Sequence, residues 1–553
     1  MLVLVAPVIH ADGLEEGQGP GKAAVATAHP LATAAAFEIF EQGGNAFDAA
    51  VAASAALGVV EPQSSGFGGG GFWLLHRAAD AYEVMVDGRE TAPAAATRDM
   101  YVNADGKPNR AAALTGPLAA GIPGLLAGLA YISETHGYLT FGEALAPAIR
   151  LARDGFPVSE QFHATLARMR DRLASDPGSA AIFLQDGKVP PVGAIIRQPA
   201  LAHSLQLIAE HGVEEFYKGQ VASDLVAGVR AMGGIWTEAD LADYVIRLRE
   251  PVRFTYRDMT ITSAPPPSSG GIVLAQALNI LERFDISDMD KGTRDHLVIE
   301  AMRQAYRDRA AYLGDPDFVD IDIGLLTSKR YAAERAALID MTRATASADL
   351  PAVTAEEVPE GTDTTHFSVI DADGNRVGGT LSINIPFGAG VLEPVTGVIL
   401  NDEMDDFAQP NMVPNSYGLV GAKANEIAAG KRPLSSMSPT FIETDSRVAI
   451  LGTPGGSRII TMVLLGILDF EVGHPPASWV AVPRFHHQYL PDVVEFETAA
   501  FSDDEQEGLM QRGYSLKESP RRYGDMHAIE WNKSTGEVSA ASDPRGEGLA
   551  EVR

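Results

Sequence analysis

Apolar residues recur every three to four positions in several segments of the chain, and this spacing predicts helices. Two of these segments lie near the start, at Leu31–Glu41 and Ala46–Val59. A glycine pair would end the first helix, and Asn45 would cap the second. The same periodicity dominates residues 141–350 and is clearest in Leu297–Leu313. The long middle of the chain is therefore predicted to be mostly helical.

The pattern becomes alternating after residues 342–363, a proline-containing stretch with few large apolar residues that is predicted to be exposed and flexible. Thr364–Ile370 is typical of a strand, Asp371–Asn375 of a turn and Arg376–Asn384 of the returning strand. Together these three segments predict a β-hairpin.

The loop length of this hairpin decides which side chains meet. Directly opposed residues of an antiparallel pair have a constant index sum, and successive side chains alternate between faces. A three-residue loop, Ala372–Gly374, places Thr364 opposite Ser382, with Asn384 further along on the same face. An even loop would break this grouping, and we predict the odd one.

A glycine-rich loop, Ser64–Gly71, precedes the apolar run Phe72–Leu75. Such a loop could cradle a phosphate, but its sequence matches neither the P-loop nor the dinucleotide-binding fingerprint. Close packing of the backbone is the better interpretation.

Composition limits the classes of protein. The 553 residues are 46% hydrophobic and 21% charged, which predicts a large folded core in several domains or one unusually large domain. The net charge of −30 disfavours nucleic acids and anionic membrane surfaces as partners. The chain has no cysteine, so disulfides, thiolate nucleophiles and iron–sulfur clusters are excluded.

The N-terminal segment Met1–Ala11 is similar to the apolar part of a secretory signal, although it lacks a positive start. It is interpreted either as a signal remnant or as an ordinary first strand, and residues 1–24 as an N-terminal extension. A periplasmic or secreted location is expected on this basis, with a cytoplasmic one left open. The longest apolar run, Ile459–Leu468, is shorter than the roughly 20 residues of a membrane span.

The junction between Asp363 and Thr364 is suited to an N-terminal nucleophile. Cleavage there would free the Thr364 α-amine, whose unperturbed pKa is about 7.7–8.0. That amine could act as general base for its own hydroxyl. Taken alone, two threonines that open a strand are also explained by their β propensity.

Other interpretations of single motifs stay open at this point. The acidic segment Asn401–Phe407 could be a solvated turn, a metal site or, through Glu403 and Asp406, a glycosidase carboxylate pair. Asp371–Asn375 has only part of a calcium loop. His486-His487 could suggest a metal, but strand neighbours face opposite ways, so one packed and one exposed histidine are expected.

Several longer motifs, in order along the chain, resemble the gamma-glutamyltransferase family. They are Gly43–Ala46, Asp87–Pro93, Pro265–Gly271, Glu300–Gly314, Thr364–Val369, Asn401–Phe407, Arg432–Thr440, Gly452–Arg458 and Pro483–His487. The resemblance covers about residues 25–544. It implies an N-terminal nucleophile hydrolase with an α+β fold, a four-layer αββα sandwich. The precursor would cut itself into a large subunit, residues 25–363, and a small subunit, residues 364–553, which form the sandwich jointly.

The same resemblance assigns the catalytic roles. Thr364 would be the nucleophile, and Asp363 and Thr364 would flank the processing site. Ser382 would be the hydroxyl residue that contacts the nucleophile. Gly455 and Gly456 would supply the backbone N–H groups of the oxyanion hole.

Substrate-binding roles follow from the resemblance too. Arg89, Ser435 and Ser436 would bind the α-carboxylate, for which a guanidinium fork is well shaped. Asn384, Glu403 and Asp406 would hold the α-ammonium; the latter two are three residues apart and would share one side of a helical turn. Tyr417 would be the lid tyrosine of the loop Asn411–Tyr417. (The lid favours a transferase–hydrolase over lidless acylases.)

The activity implied is cleavage of the γ-glutamyl amide bond of glutathione and other γ-glutamyl compounds through a γ-glutamyl-threonine ester. Water, an amino acid or a dipeptide would accept the γ-glutamyl group, and neither a metal nor a cofactor is expected. Two alternatives remain: an acylase of the same fold that is selective for glutaryl or another acyl group, and an unprocessed binding protein without activity.

Overall fold

The computed structural model describes residues 19–350, 364–409 and 414–553. The predictions for Met1–Ala11 and Asp363, and for the first three residues of the Asn411–Tyr417 loop, fall outside these residues.

Helices and strands alternate in blocks along the chain. The helices are α1 Pro30–Glu41, α2 Ala46–Val60, α3 Arg110–Leu114, α4 Leu125–His136, α5 Phe141–Asp154, α6 Glu160–Ala174, α7 Pro177–Phe183, α8 Pro199–His211, α9 Glu214–Tyr217, α10 Gln220–Ala231, α11 Glu238–Ala242, α12 Gly270–Leu281, α13 Lys291–Tyr312, α14 Ile323–Leu326, α15 Lys329–Ala336, α16 Ile459–Glu471, α17 Pro476–Trp479 and α18 Asp503–Gln511. The strands are β1 Ala24–Thr27, β2 Gly70–Arg77, β3 Tyr82–Gly88, β4 Phe156–Pro157, β5 Ile195–Ile196, β6 Arg247–Arg249, β7 Val252–Tyr256, β8 Met259–Ser263, β9 Thr365–Ile370, β10 Arg376–Ser382, β11 Thr440–Glu443, β12 Arg447–Gly452, β13 Phe485–His486, β14 Val494–Phe496, β15 Leu516–Glu518, β16 His527–Asn532, β17 Glu537–Ser542 and β18 Leu549–Val552.

Two large sheets form the centre of the molecule. One has the strand order β18-β1-β9-β10-β2-β3-β6 and the other β17-β16-β12-β11-β8-β7. Both sheets combine strands from before and after residue 364, as the prediction of a jointly formed sandwich requires.

Alternating side chains of β2 point into two different hydrophobic cores, one on each face of the first sheet. Trp73 and Leu75 join the apolar core beneath α1, α2, α4 and α5, whereas Phe72 and Leu74 join the core that contains the second sheet. Helices α12, α16 and α17 cover the outer face of that second sheet. The order helix, sheet, sheet, helix confirms the predicted αββα sandwich.

The early helices are confirmed, and Asn45 caps α2 through a reciprocal capping box with Asp48. Residues 141–350 are mostly helical, as predicted, but the short strands β4–β8 interrupt the helices. In β7, buried Val252, Phe254 and Tyr256 alternate with exposed neighbours. This period of two marks a half-buried strand, and its short length hid it among the surrounding helices.

The hairpin has the predicted register. Thr365 pairs with Leu381, and Asp371 N–H donates to Asn375 O at 3.0 Å, which closes the odd loop. The second strand ends earlier than expected, at Ser382. Asn384 has a φ of +78°, so it lies outside the strand.

Three other expectations have mixed outcomes. Close backbone packing of the glycine-rich loop is confirmed, since a Cβ on Gly68 would lie 2.0 Å from Ile399 O. Of the predicted exposed stretch 342–363, residues 351–363 lie outside the described residues; the described part is not uniformly exposed, because Ser347 is buried and its Oγ donates to Tyr489 O at 2.7 Å. The expectation of one exposed histidine is wrong: His486 and His487 are both buried and hydrogen-bonded.

Candidate active site

Thr364 lies at the end of the hairpin, just before β9, and is buried. Its Oγ1 is 3.4 Å from Ser382 Oγ on the paired strand. The Ser382 hydroxyl also accepts the Asn384 N–H at 2.8 Å, which fixes the chain where β10 ends. The next residue, Thr365, donates its hydroxyl to Glu61 at the end of α2, with 2.7 Å between the oxygens. The hairpin therefore brings the hydroxyls of Thr364 and Ser382 together, and hydrogen bonds of the neighbouring residues Thr365 and Asn384 hold the two strand ends in place.

Gly455 and Gly456 form the turn between β12 and α16, with φ values of +137° and +55° that favour glycine. Within the described residues, neither of their N–H groups donates to a main-chain oxygen. Gly455 lines one cavity and Gly456 lines another, and Thr364 lies in the wall of both. Unpaired backbone donors beside a hydroxyl suit the stabilisation of a developing oxyanion.

Arg89 follows β3 and is nearly inaccessible, with 1% of its surface exposed. Its guanidinium pairs with Glu403, with Asp406 at 2.6 Å and with Glu90 at 3.5 Å. Glu403 and Asp406 share a 3₁₀ turn, Glu403–Asp406, as their spacing predicts. The residues expected to hold opposite ends of a substrate are thus paired with each other here.

The acidic segment is a buried turn, so the interpretation of a solvated turn is wrong. Burial raises the pKa of Glu403 to about 7, although Arg89 opposes the shift. Burial likewise raises the pKa of Asp405 to about 6, against the attraction of Arg110. Among the residues that the structure describes, no cluster of three or more potential metal ligands is found.

Ser435 and Ser436 lie before β11 and are held by two segments that the resemblance included without a role. Ser269, in the Pro265–Gly271 turn, donates its N–H and its hydroxyl to Ser435 O, both at 2.8 Å. Arg309, on α13, donates to Ser436 Oγ at 3.1 Å. Sequence reasoning missed Ser269 and Arg309 as site residues, although both motifs were visible.

Tyr417 lies over the turn formed by the two glycines. A Cβ on Gly456 would be 2.1 Å from the tyrosine ring, which shows how closely they pack. The phenol donates to Asn384 O at 2.8 Å, and Gln488 donates to Tyr417 O at 3.0 Å. The predicted lid tyrosine therefore contacts two other predicted site residues.

Two cavities meet at Thr364. The narrow cavity, of about 20 Å³, contains ten of the predicted or newly identified residues in its wall: Arg89, Arg309, Thr364, Ser382, Asn384, Asp406, Tyr417, Ser435, Ser436 and Gly456. The open cavity, of about 770 Å³, lies beside Gly455 and is rich in cationic side chains, including Lys517, Arg521 and Arg522. Thus the predicted site residues converge, except Asp363, which is outside the described residues; their individual roles stay predictions.

No helix among the described residues combines the length and apolar character that a membrane span requires.

Comparisons with known proteins agree with this geometry. The family model of gamma-glutamyltranspeptidase matches residues 32–552. The glutathione hydrolase proenzyme of Escherichia coli strain K12 is 42% identical over 529 residues, which cover 94% of this chain and 90% of that protein.

Two solved structures are similar to this chain in fold. A cephalosporin acylase from Bacillus halodurans has a TM-score of 0.83 and 27% identity, with 99% of both chains covered. A gamma-glutamyltranspeptidase chain from Helicobacter pylori has a TM-score of 0.56 and 37% identity, covering 60% of this chain and 94% of that one. With a family match across nearly its whole length, this chain belongs to the gamma-glutamyltranspeptidase family of N-terminal nucleophile hydrolases.

Proposed function

We propose that the chain is a self-cleaving enzyme that hydrolyses glutathione and other γ-glutamyl amides and transfers the γ-glutamyl group to amino acids or dipeptides. The observation that carries this proposal is the convergence of Thr364, Gly456, Arg89 and Asp406 around one cavity, with Glu403 ion-paired to Arg89 and Gly455 in the wall of the adjoining cavity. A nucleophile, an oxyanion site and groups of both charges are what a zwitterionic acyl donor requires.

The reaction follows from the positions of these groups. Cleavage before Thr364 frees its amine, which takes the proton from its own hydroxyl as Oγ1 attacks the γ-carbonyl. The N–H groups of Gly455 and Gly456 stabilise the oxyanion, and the amine then protonates the leaving amine. Water or an acceptor amine then attacks the ester carbonyl while the Thr364 amine takes its proton. The ester bond breaks, and the amine returns the proton to Thr364 Oγ1.

Binding of the donor requires the narrow cavity to change. Its present volume suits about one water molecule. The donor's carboxylate and ammonium would replace contacts between Arg89 and its acidic partners, and the Tyr417 ring would move aside. The leaving group would extend into the open cavity on the other side of Thr364, which is also the space for an acceptor.

An acylase is the second candidate, because the cephalosporin acylase from Bacillus halodurans covers nearly the same fold. The buried Glu403–Asp406 turn favours a donor with an α-ammonium instead. Hydrolysis of a γ-glutamyl anilide and of its glutaryl analogue, which lacks only the amine, separates the two functions. A γ-glutamyl preference of about tenfold or more is expected; equal or better turnover of the glutaryl compound would favour the acylase.

The location of the protein stays a proposal as well. A periplasmic or secreted enzyme would lose Met1–Ala11, so the start of the mature large subunit in native material tests it. Retention of Met1 would contradict export through this segment.

A further inference from the structure

Asn415 connects the backbone around the lid tyrosine to the acidic turn. It is buried and lies two residues before Tyr417. Its amide oxygen accepts the N–H groups of Tyr417 and Leu419, both at 3.0 Å, and its amide nitrogen donates to Asp406 Oδ1 at 2.8 Å. Only this orientation of the amide satisfies all three partners, because the N–H groups need an acceptor and the carboxylate needs a donor.

The two oxygens of Asp406 have different partners. Oδ2 pairs with Arg89 at 2.6 Å, whereas Oδ1 accepts the Asn415 amide. In the proposed reaction the α-ammonium of the donor replaces Arg89 at this carboxylate. The bond from Asn415 to Oδ1 does not have to break for that exchange, so it holds Oδ2 in place for the ammonium. A hydrogen bond to the carboxylate also favours its charged form, which is the form that attracts an ammonium.

A second side chain, Gln488, holds the backbone of Tyr417 from the other side. Its amide nitrogen donates to Tyr417 O at 3.0 Å, and its amide oxygen bonds to His486 Nε2 at 2.9 Å. Among the described residues, Gln488 has no hydrogen bond to Asp406, whereas Asn415 does. The two amides therefore share the task of holding the lid tyrosine, but only Asn415 links it to the acidic turn.

A purely structural role explains only part of the contacts of Asn415. Two N–H groups of a loop need an acceptor, and an aspartate at this position would serve them equally well. Its carboxylate would however repel Asp406, whereas an amide suits the N–H groups and the carboxylate at once. The donated bond to Asp406 is thus the feature that holding the loop does not require.

We propose that Asn415 is a positioning residue that couples recognition of the donor's α-ammonium to the placement of Tyr417. This inference rests on the proposed γ-glutamyl activity. Asn415 aligns Asp406 for the ammonium, and the same amide fixes the backbone from which the Tyr417 ring covers the site. A donor without the ammonium gains nothing from this alignment.

The test compares γ-glutamyl and glutaryl anilides, which differ only in the α-amine. Asn415→Ala should raise KM for the γ-glutamyl donor about tenfold more than KM for the glutaryl donor, because it also releases Asp406. Asn415→Ser can still accept the Tyr417 N–H but is too short to reach Asp406, so it should lower the γ-glutamyl preference nearly as much. It also carries the test if Asn415→Ala does not fold.

Gln488→Met is the matched control, since it loosens the Tyr417 backbone without a change at Asp406. Its effects on the two donors should agree within about twofold. If the glutaryl anilide turns over too slowly, inhibition constants of L-glutamate and glutarate give the same ratio. An unchanged γ-glutamyl preference in the Asn415 variants, or an equal loss of preference in Gln488→Met, would overturn the inference. An absence of γ-glutamyl preference in the unaltered enzyme would instead refute the proposed function.

Discussion

The two cavities that share Thr364 are built in different ways. The narrow one is walled by buried charges that are already paired or hydrogen-bonded, as at Arg89 and Arg309. The open one also has exposed charged side chains, such as Arg521 and Arg522, beside the buried pair Arg458 and Glu495. Buried charges interact strongly and depend on geometry, whereas exposed charges are screened by water and salt. The narrow side is therefore expected to set donor specificity, and the open side to tolerate many leaving groups and acceptors.

The largest effect is expected where both cavities meet. Thr364→Ala should leave the chain uncut and lower turnover by about 10³-fold or more, since it removes the attacking oxygen. Thr364→Ser, which keeps a hydroxyl, should retain cleavage and measurable activity. Gel mobility and hydrolysis of a γ-glutamyl anilide check both variants. A cut chain from Thr364→Ala would contradict the assignment of the nucleophile.

On the narrow side, Arg89→Lys keeps the charge but loses the fork that contacts Glu403 and Asp406 together. KM for a γ-glutamyl donor should rise about 10–100-fold, and kcat should change less. Arg303→Lys is a suitable control, because Arg303 is equally buried and paired with Glu300 outside this cavity. A normal donor KM in Arg89→Lys would show that the geometry of this guanidinium does not matter.

Binding of the donor in the narrow cavity should also depend on pH. With a pKa of about 7 in the empty site, Glu403 is neutral below that pH and gains its negative charge above it. Donor KM should therefore fall up to about tenfold as the pH rises from 6 to 8. Glu403→Gln should remove this change and leave the separate titration of the Thr364 amine in place. An identical pH profile of KM in the variant would argue against Glu403.

The smallest effect is expected on the open side. Combined Arg521→Glu and Arg522→Glu substitutions should raise the acceptor KM of a dipeptide a few-fold, by repulsion of its carboxylate, and less so at high salt. Hydrolysis of the donor should be unaltered. Combined Arg283→Glu and Arg294→Glu substitutions, which change the net charge by the same amount at exposed positions outside the cavity, are the control. If the double variant lost donor hydrolysis as much as transfer to the dipeptide, the assignment of donor specificity to the narrow cavity and acceptor binding to the open cavity would be wrong.

Much of the site could be predicted from local pattern. The hairpin register followed from strand alternation and the glycine of the loop, and it correctly placed Thr364 beside Ser382. The pairing of Arg89 with Glu403 and Asp406 could not be predicted, because it depends on how segments far apart in sequence pack together. Arg309 was missed for another reason: α13 is buried along most of its length, so periodicity does not indicate which residue faces a cavity.

The central claim is that the chain cuts itself before Thr364 and that the new amine-terminal threonine performs the chemistry. N-terminal sequencing and intact-mass measurement of purified, active protein test this most directly. The account predicts two chains, the shorter of which begins Thr364-Thr365-His366. A single active chain of 58.5 kDa, or a cut at any other bond, would contradict it.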